Sequence, residues 1–181
     1  MKKNKLTISI ISITIILTIL LLDQIVKIWI KTHFAIGDEI KITNFFYLHF
    51  IENEGMAFGM SFFDIKYLTL FRIVASIGIA YYIYKSIKNN SEQLFIISLS
   101  LIFAGAIGNI IDRIKFGYVI DFIAVGRFPV FNVADSAVTI GVFLMIIYYL
   151  IEERKALSAR KASGTLENAE SNDVSEVGEE E

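Results

Sequence analysis

Residues 94–113 read LFIISLSLIFAGAIGNIIDR, a long apolar run that ends in polar residues and indicates a membrane-spanning helix. Its first 18 residues carry no charge, which is nearly enough apolar helix to cross a bilayer core of about 30 Å. Three further, mostly apolar runs lie at residues 6–22, 67–84 and 137–151. We therefore expect an all-α polytopic membrane protein with four transmembrane helices, each of which recruits flanking residues to complete its span.

The composition is typical of a membrane protein and excludes several classes of site chemistry. The 181 residues have a mean hydropathy of +0.59, with one proline and no cysteine. Without cysteine there is no disulfide framework, thiolate nucleophile or Cys-ligated metal cluster. The two histidines, His33 and His49, show no ligand-like spacing with each other or with a carboxylate, so we expect no metal site.

Charge is distributed unevenly along the chain. Residues 164–181 hold seven of the 19 acidic residues and no basic residue, so residues 1–163 carry a net charge of +5. An acidic segment without aromatic residues cannot bury enough apolar surface to fold. We therefore expect a membrane domain at residues 1–155 and a charged, disordered cytoplasmic tail at residues 156–181.

Basic residues near the apolar runs predict the orientation in the membrane. They precede the first run, lie between the second and third, and follow the fourth: Lys2, Lys3, Lys5, Lys85, Lys88, Arg154, Lys155, Arg160 and Lys161. By the positive-inside rule, both termini and the connection at 85–93 face the cytoplasm. Residues 23–66 and 112–132 then lie on the outer side.

The first helix is expected to end in a charged pair. Asp23 and Lys27 are four residues apart, with the acid on the amino side, which is the favourable order for an ion pair on one helix face. Alone, the pair predicts no more than an anchor for the helix end. In the loop that follows, alternating residues at 39–43 and 45–51 predict short β-strands.

The third helix ends in a stripe of small and polar residues. Gly105, Gly108, Asn109 and Asp112 fall at i, i+3, i+4 and i+7, so they share one helix face that should contact protein. We expect the glycines to permit close helix packing. For Asn109 and Asp112, structural and functional roles are both open.

Two carboxylates stand in apolar surroundings on the outer side. Asp121 lies within VIDFI at 119–123, and Asp135 precedes the fourth run. That run is too short to span, so the helix should begin near Asn132 and place Asp135 at the outer edge of the membrane. There it serves either as a helix cap or in function. Two adjacent carboxylates share a proton and can act as base and acid in peptide hydrolysis by water.

Two other functions use the same acids. They could form a proton relay in a small carrier, although no broken helix or inverted repeat favours transport. They could also be purely structural groups in a membrane assembly factor.

Five motifs occur in order on the outer side. They are DQxxK at 23–27, NxGxAF at 53–58, GAxGNxxDR at 105–113, VxDF at 119–122 and FNxADS at 131–136. Together they resemble the bacterial lipoprotein signal peptidases (signal peptidase II), which are membrane-embedded aspartic proteases. The tail from about Glu152 lies outside the resemblance.

The resemblance implies four transmembrane helices with a small extracytoplasmic β-cradle and a short surface helix in the bacterial inner membrane. It implies cleavage of prolipoprotein signal peptides just before a diacylglyceryl-modified cysteine, beside membrane lipids and without a cofactor or nucleic acid. It assigns the catalytic dyad to Asp121 and Asp135. From the sequence alone Asp112 is a rival to Asp121, but Arg113 beside it favours a structural pairing, so we rank Asp112 third. The supporting or substrate-binding positions are Asp23, Lys27, Asn53, Gly55, Asn109, Asp112, Arg113 and Asn132.

Two features depart from the family pattern. Glu52 stands where many relatives carry a basic residue, and Glu54 stands where a small polar residue is common. The segment between Asp121 and Asp135 is also shorter than in many relatives.

Overall fold

The computed structural model describes residues 5–55 and 65–177. The elements in chain order are α1 (Lys5–His33), β1 (Glu39–Lys41), β2 (Phe46–Asn53), α2 (Ile65–Lys88), α3 (Gln93–Phe116), β3 (Val119–Val125) and α4 (Val133–Val177). Four segments are long and apolar enough to cross a membrane: Lys5–His33, Thr69–Lys88, Gln93–Phe116 and Val133–Arg160. The expected fold class, four such helices with a small sheet, is confirmed. The rest of the outer loop, residues 56–64, where a surface helix is expected, lies outside the described residues.

The first helix is longer than its apolar run predicts. We expected the outer loop to begin at residue 23, but α1 continues to His33. Asp23, Lys27 and Ile30 are all buried and recur at helical spacing, so one face of the extension packs against protein. The charged pair therefore lies well inside the helix instead of ending it.

The helices combine close internal packing with an apolar outer surface. Both α1 and α2 contact α3. A Cβ at Gly105 would lie 2.7 Å from Val138 Cγ2, so the glycine permits the close approach of α4 that the sequence predicts. On α2, Phe71 and Ile77 are 72% and 65% exposed, which suits a surface that faces lipid.

The three strands form one antiparallel sheet in the order β1-β2-β3. Its register places Ile51 opposite Asp121. The sheet is fixed to the end of α1 by a buried apolar cluster: Ile30, Phe50, Ile120 and Phe122. This packing holds β3, and with it Asp121, against α1 and α3.

The last helix differs from the expectation for the tail. The chain divides into two compact units, Met1–Met145 and Ile146–Glu181, and the second begins within α4. Helical backbone continues to Val177, whereas the composition predicts a disordered segment from residue 156. Residues 152–163, EERKALSARKAS, are mostly strong helix formers, which explains why the helix does not stop at the end of the apolar run. The domain boundary near residue 155 and the solvated character of the tail stay predictions.

Candidate active site

The site is built around a buried cation on α1. Lys27 is 1% exposed, and its Nζ lies 2.8 Å from a carboxylate oxygen of Asp23 and 2.8 Å from one of Asp112. It also donates a hydrogen bond of 3.0 Å to Asn109 Oδ1. A buried ammonium requires such partners because an unpaired charge is costly to desolvate.

Asp23 joins α1 to the start of α4. Its Oδ1 accepts a hydrogen bond of 2.8 Å from the backbone N–H of Ala134, one of the first amides of α4 that have no partner within the helix. A Cβ at Gly108 would lie 2.8 Å from Asp23 Oδ2, so this approach requires glycine. The charged pair therefore connects α1 to α3 and α4, and does not anchor a helix end.

Asp112 has a complete set of structural partners. Besides Lys27, it accepts hydrogen bonds from Gln24 Nε2 at 3.1 Å and from the backbone N–H of Ile120 at 3.2 Å. Gln24 also donates to the carbonyl of Gly108 at 3.3 Å. These contacts tie the end of α3 to α1 and β3.

Hydrogen bonds of the Asn109 and Asn132 side-chain amides connect the buried Lys27 to the carboxylates of Asp121 and Asp135. Asn109 Nδ2 donates to Asp135 Oδ1 at 2.7 Å. Asn132 Nδ2 donates to Asp121 Oδ1 at 2.7 Å and to Asn109 Oδ1 at 3.1 Å. Lys27 and Asn132 both donate to the Asn109 oxygen, which orients the Asn109 nitrogen toward Asp135.

Asn132 and Asp135 also cap the beginning of α4. The Asn132 Oδ1 accepts a hydrogen bond from the backbone N–H of Asp135 at 2.8 Å, and Asp135 Oδ2 accepts one from the backbone N–H of Asn132 at 3.3 Å. This reciprocal arrangement is a capping box. The helix therefore begins where the sequence predicts, and the cap fixes the Asp135 carboxylate at a helix N-terminus, where the dipole favours negative charge.

Asp121 is enclosed on β3. It is 1% exposed, and besides Asn132 it accepts a hydrogen bond of 2.8 Å from Asn53 Nδ2. Burial raises the pKa of the Asp121 carboxyl to about 6, and the charge of Asp135 acts in the same direction. The amide donors and Lys27 oppose this shift without cancelling it.

Asn53 is held in turn by the loop that follows β2. Its Oδ1 accepts a hydrogen bond of 2.8 Å from the backbone N–H of Gly55, whose φ of +86° favours glycine. Arg113 Nη2 would lie 3.7 Å from a Cβ at Gly55. Within the described part of the chain, Arg113 Nε is buried without a hydrogen-bond partner. The turn at residues 53–55 therefore lies beside the end of α3.

Two cavities lie on either side of the β3–α4 connection. One, of about 280 Å³, is lined by Phe128, Phe131, Asp135, Ser136, Thr139 and Ile140. The other, of about 520 Å³, is lined by Ile51, Glu52, Asn53, Glu54, Pro129 and Val130. Glu52 and Glu54, the two residues that differ from the family pattern, therefore line the same cavity as Asn53, which donates a hydrogen bond to Asp121. Glu52 Oε1 lies 3.6 Å from Lys31 Nζ.

The structure brings all ten sequence-predicted site residues into one connected region. Gln24 and the backbone amides of Ala134 and Ile120 belong to it but were not predicted as site members. A polar residue beside Asp23 in an apolar helix was the available signal for Gln24, whereas nothing in a sequence marks a backbone amide. Within residues 5–55 and 65–177, no group of three His, Asp or Glu side chains is arranged to hold a metal. The chemistry that the arrangement offers is proton transfer by two carboxylates.

Comparisons with known proteins agree on one family. The family model described as "Signal peptidase (SPase) II" matches residues 15–151. The lipoprotein signal peptidase of Clostridium tetani is 40% identical over 147 residues, which cover 78% of this chain and 93% of that protein. That of Halalkalibacterium halodurans is 39% identical over 151 residues, which cover 81% and 96%. A solved structure of a bacterial membrane enzyme has a TM-score of 0.71 and 36% identity, and the match covers 78% of this chain and 88% of that one.

Proposed function

The chain belongs to the signal peptidase II family, the lipoprotein signal peptidases, and on that premise we propose that it is an intramembrane aspartic endopeptidase. Its substrates are prolipoproteins that carry a diacylglyceryl-modified cysteine, and it cleaves just before that residue. The observation that supports the aspartic mechanism is one hydrogen-bonded chain of amides: Asn132 Nδ2 donates to the Asp121 carboxylate and to Asn109 Oδ1, and Asn109 Nδ2 donates to the Asp135 carboxylate. Family membership favours this hypothesis over the carrier and the assembly factor.

Asp121 holds the proton that the two carboxylates share. Its pKa is raised to about 6, chiefly by burial and further by the nearby charge of Asp135, against the opposing hydrogen bond from Asn53. Asp121 is therefore the acid that polarises the scissile carbonyl. Asp112 is a poor rival for this role, because its carboxylate is already engaged by Lys27, Gln24 and the backbone of Ile120.

Asp135 is the base. Its carboxylate oxygens accept hydrogen bonds from Asn109 Nδ2 and from the backbone N–H of Asn132, the residue that precedes α4. Both donors and the helix dipole stabilise a negative charge there. Asp135 also lines the cavity of about 280 Å³, where water and substrate can reach it.

The reaction follows from these two roles. Asp135 removes a proton from water, whose oxygen attacks the carbonyl carbon while Asp121 donates its proton to the carbonyl oxygen. When the tetrahedral intermediate collapses, the C–N bond breaks, the leaving amine takes a proton from Asp135, and the carbonyl oxygen returns one to Asp121. The dyad ends in its starting state. Because the water oxygen attacks the carbonyl carbon directly, no covalent intermediate with the enzyme forms.

The remaining polar residues position this dyad. Lys27 and Asn109 orient Asp135, while Asn132 and Asn53 orient Asp121. Arg113 and Gly55 lie beside Asn53, where a substrate backbone can be bound. We assign these residues supporting or substrate-binding roles.

The proposed orientation places the dyad at the outer face of the bacterial cytoplasmic membrane, with both termini in the cytoplasm. The distribution of Lys and Arg supports it. A substrate anchored by acyl chains diffuses in the membrane plane and presents its scissile bond at headgroup depth. Residues 156–181 take no part in the reaction under this proposal.

The test is cleavage of a diacylglyceryl-modified prolipoprotein by the full chain in detergent with lipid, with mass spectrometry of the products. The expected product begins with the lipid-modified cysteine, and the same precursor without lipid is cleaved more slowly. A cut at another bond, or no cleavage of the modified precursor by folded protein, would overturn the proposal.

A further inference from the structure

Lys31, near the end of α1, is a charged residue that the proposed reaction does not use. Its Nζ lies 3.6 Å from Glu52 Oε1 and donates a hydrogen bond to the Tyr118 hydroxyl. The same Nζ lies 4.3 Å from the centroid of the Phe116 ring and 4.7 Å from that of the Tyr118 ring, which is within the range of cation–π attraction. One ammonium group on α1 therefore contacts β2, the end of α3 and the segment that joins α3 to β3.

The register of the sheet turns Glu52 toward Lys31. Glu52 lies opposite Ile120, and side chains that are opposite each other on antiparallel strands share one side of a sheet. Ile120 belongs to the buried cluster that contains Ile30, the residue before Lys31. Glu52 is also a position where many relatives carry a basic residue, and in this chain Lys31 supplies the opposite charge.

The ion pair is too exposed to serve stability alone. The side chains of Lys31 and Glu52 are 34% and 25% exposed, and an ion pair that water can reach contributes little to the free energy of folding. Its place in the sheet gives it another role, because it lies beside a residue of the candidate active site.

Lys31 contacts both strands at the end of the β2–β3 ladder. The last residue pair there is Asn53 and Val119. Glu52 precedes Asn53 in the chain, and Tyr118 precedes Val119. The ends of secondary structure elements open more readily than their centres. By contacting the residue before each member of the pair, Lys31 holds this end of the ladder closed.

We infer that Lys31 is a positioning residue for the hydrogen bond from Asn53 to Asp121. The inference rests on the proposed function, in which Asn53 orients the Asp121 carboxylate. Asn53 Nδ2 lies 2.8 Å from Asp121 Oδ2. Opening of the terminal pair moves Asn53 away, whereas Asp121 lies further along β3 and is also held by Asn132. Lys31 therefore affects the reaction through Glu52 and Asn53.

Substrate binding by the ion pair is the competing role. Glu52 and Asn53 both line the cavity of about 520 Å³, so a substrate segment in that cavity could contact Glu52 directly. A group that binds substrate equally in the ground state and the transition state changes KM, whereas a group that orients the dyad changes kcat. The two roles are therefore separated by kinetics.

The experiment measures kcat and KM of the full chain in detergent with lipid, on the diacylglyceryl-modified precursor, per folded protein. Lys31→Met removes the cation and should lower kcat about 10-fold, with KM within about 2-fold of wild type. Lys31→Arg keeps a cation that pairs with Glu52 and stacks on the rings, so kcat should stay within about 2-fold of wild type. Lys115→Met, at an exposed lysine in the last turn of α3, is the matched control and should cleave like wild type.

A second measurement repeats Lys31→Met in Asn53→Ala, which has no amide to position. There the loss in kcat from Lys31→Met should be less than about 2-fold, because two residues that act through one contact are not additive. If Lys31→Met does not fold, Glu52→Gln breaks the same ion pair, and its loss in kcat should likewise disappear in Asn53→Ala.

Four results would overturn the inference: an equal loss in kcat with and without the Asn53 amide, a higher KM at wild-type kcat, an equal loss in Lys31→Arg and Lys31→Met, or wild-type kinetics of folded Lys31→Met. In each of them wild type still cleaves the precursor, so the proposed function stands. If wild type does not cleave the precursor, the proposed function fails and this inference fails with it.

Discussion

Lys27 donates a 3.0 Å hydrogen bond from its Nζ to Asn109 Oδ1. An ammonium group can only donate, so this bond holds the Asn109 oxygen toward α1 and leaves Nδ2 to face Asp135 at 2.7 Å. The buried Lys27 ammonium on α1 therefore orients the Asn109 amide so that its nitrogen, and not its oxygen, faces the Asp135 carboxylate. Stability and catalysis are coupled through this contact.

Replacing Lys27 by methionine should destabilise the fold. The change leaves Asp23 and Asp112 buried, each having lost its cation, which costs about 3–5 kcal/mol. The measurement is the free energy of unfolding in detergent. Lys41→Met on the exposed strand β1 is the control, with a change of less than about 0.5 kcal/mol. Equal stabilities of the two variants would contradict this account of the buried cluster.

Asn53→Asp should lower the rate of cleavage in a protein that still folds. An aspartate retains the oxygen that accepts from Gly55 but loses the donor to Asp121 and adds a second negative charge beside it. We expect kcat to fall by about 100-fold, a loss typical of one preorganised hydrogen bond. The exposed Asn44→Asp is the matched control and should cleave at the wild-type rate. Wild-type kcat in Asn53→Asp would refute the role of this amide.

Gly108→Ala should weaken the connection between α1, α3 and α4. The added methyl group meets Asp23 Oδ2 at 2.8 Å and displaces the carboxylate from the backbone of Ala134, at a cost of about 1–3 kcal/mol. Gly78→Ala on α2 is the control, because nothing lies within 4 Å of its added Cβ. That variant should be neutral or more stable by up to about 1 kcal/mol. Thermal unfolding of both variants in detergent measures the difference.

Stability should decrease as the pH rises through the titration of Asp121. Its pKa is 3.8 in the unfolded chain and about 6 in the fold, so between these values the folded state binds a proton that the unfolded state releases. Its contribution to the free energy of unfolding falls by about 3 kcal/mol or less across this window. Asp121→Asn lacks this contribution. Unfolding curves from pH 4 to 7 should show wild type losing stability relative to the variant up to about pH 6; a constant difference would contradict the raised pKa.

Much of this architecture could be predicted because membrane helices have a strong compositional signal. The four apolar runs identified the helices, and the shortness of the fourth placed the start of α4 near Asn132. The extent of α1 could not be predicted in the same way. Asp23 and Lys27 predict the end of an apolar run, and only the structure shows that their partner Asp112 on α3 allows the helix to continue to His33.

The sequence predicted which residues lie together, but it did not predict the hydrogen bonds and ion pairs between them. Asn109 and Asp112 share a stripe in the sequence, yet one faces the dyad and the other pairs with Lys27. Only tertiary packing distinguishes these two roles. The backbone N–H groups of Ile120 and Ala134 donate hydrogen bonds that do not depend on the side chains at these positions, so the sequence could not reveal them.

The proposed roles of Asp121 and Asp135 in hydrolysis are tested by the cleavage rates of Asp121→Asn and Asp135→Asn, with folding measured in parallel. Asp38→Asn, an exposed acid in the turn before β1, is the matched control. We predict that both dyad variants remain folded and lose at least about 1,000-fold in kcat, while Asp38→Asn cleaves like wild type. Cleavage at the wild-type rate by folded Asp121→Asn or Asp135→Asn would contradict these roles.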